Sequence, residues 1–181
     1  KEWLIRQYDH EVQGASVIKP LHTVSPGTAQ EKSGPNDAAV VKPKADTWRG
    51  MAVGCGINPK LSDLDPYLMA LSVVDEAIRN VLCVGAEFGT KNSVVALVDN
   101  FCWPDPVSDP EKAAALVRAA YGMREAALAL ETPLVSGKDS MKNDYHGRRD
   151  GKEMTISVPP TLLMTAVAGV PDTKNARTSD F

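Results

Sequence analysis

Two aspartate–proline pairs set the frame of this chain. Asp65-Pro66 and Asp109-Pro110 each put a capping carboxylate before a proline at the first helical position, where the missing N–H costs nothing. Behind the first pair, Ala70, Val73, Val74, Ala77, Ile78 and Val81 recur at helical spacing, so a helix with one apolar stripe is predicted, stopping near Gly85. Behind the second, Ala113, Leu116, Val117, Ala120, Ala127 and Leu130 are expected to face a core, with a stop before Pro133. Around these helices lie apolar runs of strand length: Ala38 to Val41, Met51 to Val53, Ser93 to Val98, Met154 to Val158 and Leu162 to Val170. The order is β-β-α-β-α-β-β. That order predicts an α+β sandwich, a mixed or antiparallel sheet with helices packed on one face.

The chain has 181 residues, 43% of them hydrophobic and 24% charged, which suits one globular domain with an arm. Residues 1–35 carry turn signals at Lys19-Pro20, Ser25-Pro26-Gly27 and Ser33-Gly34-Pro35 and little periodicity, so they are expected to form an arm or lid. A net charge of −3 argues against a nucleic-acid or membrane-surface partner, which would want a basic face. No apolar run reaches the roughly 18 residues of a membrane span. Cys55, Cys83 and Cys102 are scattered and odd in number, so reduced thiols and a cytoplasmic setting are expected. A start at Lys1 rather than methionine points to a piece of something longer.

Four places can carry chemistry. Glu76 and Asn80 stand four apart on the first helix and share a face; they either hydrogen-bond as a surface pair or offer oxygen ligands to a hard cation such as Mg²⁺. Asp37, between the Gly34-Pro35 turn and the first strand, is either a turn cap or a side chain aimed by a rigid element. Asp99-Asn100 ends a strand before Phe101-Cys102-Trp103-Pro104, where open α/β sheets gather ligands; an Asx turn with Trp103 packed beneath it is the equal alternative. Ser136-Gly137-Lys138-Asp139-Ser140 follows a short apolar strand at Leu134-Val135. It suits a phosphate or carboxylate group, or is a polar loop; Thr132 stands where a Walker A glycine would be needed. His10, His22 and His146 have no metal or triad spacing.

Six blocks then appear in a fixed order: Arg6 to Gly14, Asp37 to Val40, Asp75 to Asn80, Asp99 to Trp103, Ser136 to Asn143 and Ile156 to Thr161. Together they resemble the phosphoribosylformylglycinamidine synthase family, from about residue 3 to 172. The resemblance is to the N-terminal domain of the second of two tandem repeats of the aminoimidazole-ribonucleotide-synthetase (AIR-synthetase) type. It implies a domain over residues 36–172 and a tail, 173–181, leading towards a further domain. Family N-terminal domains pair through their sheets, so a homodimer is expected of this chain alone. The implied reaction activates formylglycinamide ribonucleotide with ATP and displaces phosphate with ammonia from glutamine. The remaining synthase domains and a glutaminase are the implied partners.

The resemblance assigns residues as well. Asp37, Glu76 and Asn80 match Mg²⁺ ligands of an auxiliary site that holds ADP, and Ala38 beside them is counted with the nucleotide. A further carboxylate ligand would come from the C-terminal domain. Asp99 and Gly137 match positions turned towards ATP, and Ser140 one turned towards substrate. Lys138 departs from the family's asparagine; a protonated lysine ligates no Mg²⁺ but can pair with phosphate. The family's catalytic histidine and nucleophilic cysteine belong to other segments, so the chain alone is expected to be inactive. An orphan nucleotide-binding or structural domain is the competing reading. A kinase of the same superfamily is a third, against which the first and fifth blocks weigh.

Overall fold

Both expected helices form where the aspartate–proline pairs start them. The computed structural model describes residues 12–19, 21–24 and 32–179. Its strands are β1 (Ser16–Ile18), β2 (Leu21–Val24), β3 (Lys32–Pro35), β4 (Ala39–Val41), β5 (Gly50–Ile57), β6 (Val95–Cys102), β7 (Leu134–Gly137), β8 (Asp144–Arg149), β9 (Lys152–Ser157) and β10 (Thr161–Val170). The long helices are α1 (Pro66–Cys83) and α2 (Pro110–Ala129). Six strands hydrogen-bond in the order β1-β4-β5-β10-β6-β7, while β2–β3 and β8–β9 form separate two-stranded ribbons. Pairing of β1 with β4 and β4 with β5 is antiparallel, and that of β6 with β7 is parallel. The sheet is therefore mixed, and the class is α+β as expected.

The caps work as their chemistry requires. Asp65 Oδ1 accepts the Tyr67 N–H at 2.9 Å, and Asp109 Oδ1 accepts that of Glu111 at 3.0 Å, satisfying donors that a helix start leaves orphaned. Arg118 donates to Asp65 at 2.7 Å, and this guanidinium holds the Asp65 carboxyl below its usual range. At the far end of α1, Gly85 takes φ +106°, a conformation costly for any residue with a Cβ.

The chain divides into two compact units, Lys1–Gly54 with Ile78–Ala96 and Ala166–Phe181, and Cys55–Ala77 with Leu97–Thr165. In the first, Ile18, Val40, Ala52, Ile78, Val81, Val84 and Val170 are buried, and Gly54 lies against Ala38, Asn80 and Val81. In the second, Met69, Val73, Val74, Leu97, Trp103, Leu162 and Met164 are buried. All six expected core positions of α1 are buried. Gly56 is what lets β5 approach α1: a Cβ there would stand 2.1 Å from the Val73 carbonyl oxygen.

The described elements differ from, or add to, the expected ones at three places. Of the positions expected to face the core on α2, Ala127 is buried, but the rest of its core side is Ala119, Gly122 and Ala126, whereas Val117 is 54% exposed and Ala120 faces solvent. Helix α2 packs through its smallest residues: a Cβ on Gly122 would lie 2.5 Å from the Tyr67 carbonyl oxygen, a closeness that larger side chains would prevent. Within the expected arm, β1 is an edge strand of the main sheet and β2–β3 a hairpin; residues 1–11, 20 and 25–31 lie outside the described residues. Finally, β8 was not expected. Its partner strand β9 follows across Asp150-Gly151, both at positive φ (52° and 78°), the two-residue turn that matches strand twist.

Candidate functional site

The second unit gathers four of the sequence-predicted site residues. Asp99 lies inside β6, not beyond its end, because the strand continues to Cys102. In the parallel register Asp99 faces Gly137 of β7. A Cβ on Gly137 would meet the Asp99 carboxylate oxygens at 2.6 and 2.7 Å, so only glycine leaves that carboxylate its place. The Lys138 N–H donates to the Asp99 carbonyl at 3.0 Å, and the Ser140 N–H to that of Phe101 at 2.7 Å. These bonds carry the ladder past the end of β7 and lay the Gly137-Lys138-Asp139-Ser140 segment along β6. The Lys138 ammonium donates to the Ser140 hydroxyl.

Beneath the segment is a fixed base. Trp103 is fully buried, donates its indole N–H to the Lys112 carbonyl at 3.0 Å, and meets Phe101 edge-on with 5.8 Å between ring centroids. Its backbone N–H donates to the Ser140 carbonyl at 2.8 Å. Asn143 Nδ2 donates to that same carbonyl, also at 2.8 Å. The expected alternative of an Asx turn at Asp99 is thus replaced by continuous strand, while Trp103 packs as that alternative supposed.

Charge on the segment is divided. Burial raises the Asp99 carboxyl above its usual range, and the Asp139 carboxylate nearby raises it further. Asp139 is the site residue the sequence reading passed over; its signal was its place inside the Gly-Lys-Asp-Ser run. One side of the segment therefore offers a carboxyl, Asp99, that resists ionising, and the other an ammonium braced by a hydroxyl, suited to an anionic group.

A pH dependence follows. The folded protein holds the Asp99 proton more tightly than the unfolded chain, so this carboxyl favours folding at low pH. That advantage is lost as pH rises above the ordinary aspartate value of about 3.9 towards the raised folded value. Asp99→Asn, neutral at every pH, is expected to gain thermal stability over the parent as pH rises through this window and to show no gain below it. Melting curves at stepped pH check this; an equal difference at all pH values would assign the effect to something other than titration.

The expected Mg²⁺ ligands fall in different surroundings. Asp37 precedes β4; its carboxylate accepts the Ser179 hydroxyl at 3.0 Å, and its N–H donates back to that oxygen at 3.1 Å. Asn80 and Ala38 both lie beside Gly54, 3.1 and 3.3 Å from where its Cβ would stand. In the second unit, Glu76 Oε2 accepts the Ile57 N–H at 2.9 Å, made possible by the Gly56 approach. The donors are carboxylates and an amide, the hard oxygen set Mg²⁺ prefers. Among the described residues no three of His, Cys, Asp and Glu gather to hold a metal. Among the described residues Cys55, Cys83 and Cys102 form no disulfide. His146 is exposed and shares a hydrogen bond with the Thr155 hydroxyl, while His10 and the side chain of His22 lie outside the described residues. Among the described residues no helix is long and apolar enough to cross a membrane.

The mixed sheet with its two capped helices, and the segment laid beside Asp99, define a class. The chain belongs to the family of AIR synthase related proteins, N-terminal domain, whose model matches residues 35–159. It is similar to the PurL subunit of phosphoribosylformylglycinamidine synthase of Picrophilus torridus, with 34% identity over 98% of this chain and 21% of the relative. The same subunit of Methanocaldococcus jannaschii is 33% identical over 91% of this chain and 19% of the relative. Among solved structures it is similar to PurLQS of Thermotoga maritima, with TM-score 0.69 and 25% identity over 99% of this chain and 25% of that one. T. maritima PurL complexed with ADP gives TM-score 0.67 and 26% identity, covering 97% of this chain and 24% of that one. The chain thus spans about a fifth of the length of the curated relatives it matches.

Proposed function

We propose that this chain is the N-terminal domain of the second repeat of a cytoplasmic phosphoribosylformylglycinamidine synthase, occupying residues 36–172 with a tail towards a further domain. The observation that carries the reading is the Gly137–Ser140 segment held against Asp99. It combines a glycine that bares the backbone, an ammonium, a hydroxyl and a half-buried carboxyl in a chain one-third identical to such synthase subunits. T. maritima PurL has been solved complexed with ADP, with ATP and with FGAR, the relatives' formylglycinamide ribonucleotide substrate.

In this reading Asp99 and Gly137 border the nucleotide, and Lys138 with Ser140 meets the anionic part of the substrate. A Mg²⁺ ion would be held by Asp37, Glu76 and Asn80, with Ala38 beside the nucleotide it accompanies. When bound, the ion would neutralise phosphate charge. The chain's own residues position and neutralise; the groups that break and form bonds belong to the rest of the synthase and its glutaminase, so the domain alone does not turn over. A second copy would cover the sheet where β5 turns Ile57 outward, giving a homodimer.

Calorimetric titration of ADP with Mg²⁺ tests the reading. Saturable binding that needs both components is expected, weakened at least tenfold by Glu76→Ala with the fold intact by circular dichroism. Binding of equal strength without Mg²⁺, or unchanged in the variant, would remove Glu76 from the metal. Sedimentation of the same sample reports the dimer, and a lone 19.4 kDa species would exclude it.

A further inference from the structure

The loop between β4 and β5 carries a feature that nucleotide chemistry leaves unused. Trp48, two residues before β5, stands 54% exposed. Two ammonium groups lie over the indole, Lys42 Nζ at 4.6 Å and Lys174 Nζ at 5.2 Å from the ring centroid. Next to it a concavity of about 500 Å³ is lined by Lys44, Arg49 and Asp46, with Pro43 and Met51 as its apolar part. Among the described residues no carboxylate pairs with Lys44 or Arg49, whereas Lys174 is matched by Asp172 at 3.5 Å.

The platform is rigidly built. The Trp48 carbonyl accepts the Thr173 N–H at 2.7 Å, and Lys42 Nζ donates to the Ala45 carbonyl at 3.2 Å. Gly50 is packed so closely that a Cβ would lie 2.3 Å from Thr173 Cγ2 and 2.8 Å from the Val41 carbonyl oxygen. The loop and the 3-10 turn Thr173–Asn175 are thus fixed to each other before any partner arrives, which cuts the ordering cost of binding.

We propose that this surface docks an acidic segment of a partner protein, with Trp48 as its anchor. Four cations (Lys42, Lys44, Arg49 and Lys174) stand against two acids (Asp46 and Asp172), a local excess of two positive charges on a chain whose net charge is −3. An exposed tryptophan beside an arginine has the composition of an interface hot spot, and the surrounding cations select a partner of opposite sign. Cations already over the ring disfavour a basic partner, since the electron-rich face is taken.

The test uses the 181-residue chain and a capped hexapeptide of five glutamates and one leucine, followed by calorimetry and tryptophan emission. Saturable binding is expected, weakened at least tenfold by Trp48→Ala and by the Lys44→Glu/Arg49→Glu pair. Raising salt from about 0.05 to about 0.5 M should weaken it as well, because exposed charges are screened. Melting curves show whether the variants stay folded; if the pair unfolds, Lys44→Ser alone replaces it. The proposal is overturned by absent saturation, by equal binding of the lysine counterpart peptide, or by affinity unchanged in the variants. It is likewise overturned if inorganic phosphate saturates the same signal and excludes the peptide, which would make this a small-anion site.

Discussion

Trp103→Ala is expected to destabilise the chain by about 3–5 kcal/mol, the cost of emptying a buried tryptophan position. The indole is fully buried, packs edge-on against Phe101, and donates to the Lys112 carbonyl at 3.0 Å, so its removal leaves a void and takes one hydrogen bond from that helical carbonyl. At about 2–4 °C per kcal/mol for a chain of this size, the melting temperature should fall by roughly 6–20 °C. Trp103→Phe keeps most of the volume and loses the indole N–H, so a smaller fall is expected. Calorimetric scans of both variants check this, and an alanine variant melting within a few degrees of the parent would take Trp103 out of the core. The consequence reaches the site, because Trp103 and Asn143 both donate to the Ser140 carbonyl. A looser Trp103 frees the segment beside Asp99.

Gly56→Ala is the second large effect. The added methyl would meet backbone rather than a movable side-chain tip: the Val73 carbonyl oxygen at 2.1 Å and the Ala77 nitrogen at 2.9 Å. Strand β5 must then move off α1, at the upper end of the roughly 1–3 kcal/mol that overpacking costs, or beyond it. The same movement withdraws the Ile57 N–H from Glu76, so the ADP–Mg²⁺ binding proposed above should weaken out of proportion to the loss of stability. Gly169→Ala is the control, since nothing lies within 4 Å of its added Cβ. Equal melting temperatures for the two variants would contradict the close approach of β5 and α1.

Much of this molecule was legible in its sequence for local reasons. A capping carboxylate and a proline act within one turn, so the starts of α1 and α2 could be placed to the residue. The stripe on α1 is carried by Val73, Val74, Ile78 and Val81, whose apolar area leaves one burial choice. On α2 the stripe could not be read, because alanines recur on several faces and area alone does not rank them. Gly122 meeting the Tyr67 carbonyl decides the matter, and that is a contact between helices far apart in sequence. Strand β8 was hidden for the opposite reason: Asp144-Tyr145-His146-Gly147-Arg148-Arg149 is polar on both faces and shows no alternation. Only the Asp150-Gly151 turn carried a signal.

The site divides in the same way. Residue types and their order marked Asp99, Gly137, Lys138 and Ser140, since a glycine beside a lysine and hydroxyls is a local pattern. That Asp99 sits within β6 opposite Gly137, and is raised by its own burial and by Asp139, depends on the register of two parallel strands. So does the union of Trp48 with Lys174, which lie far apart in the chain and meet through the Thr173 hydrogen bond. Neighbours a few residues apart were enough to place the helix starts, the buried stripe of α1 and the residue types that could do chemistry. The tertiary structure alone decided which face of α2 packs, which carboxyl resists ionising and which cations surround an exposed indole, because packing and electrostatics act through space between residues distant along the chain.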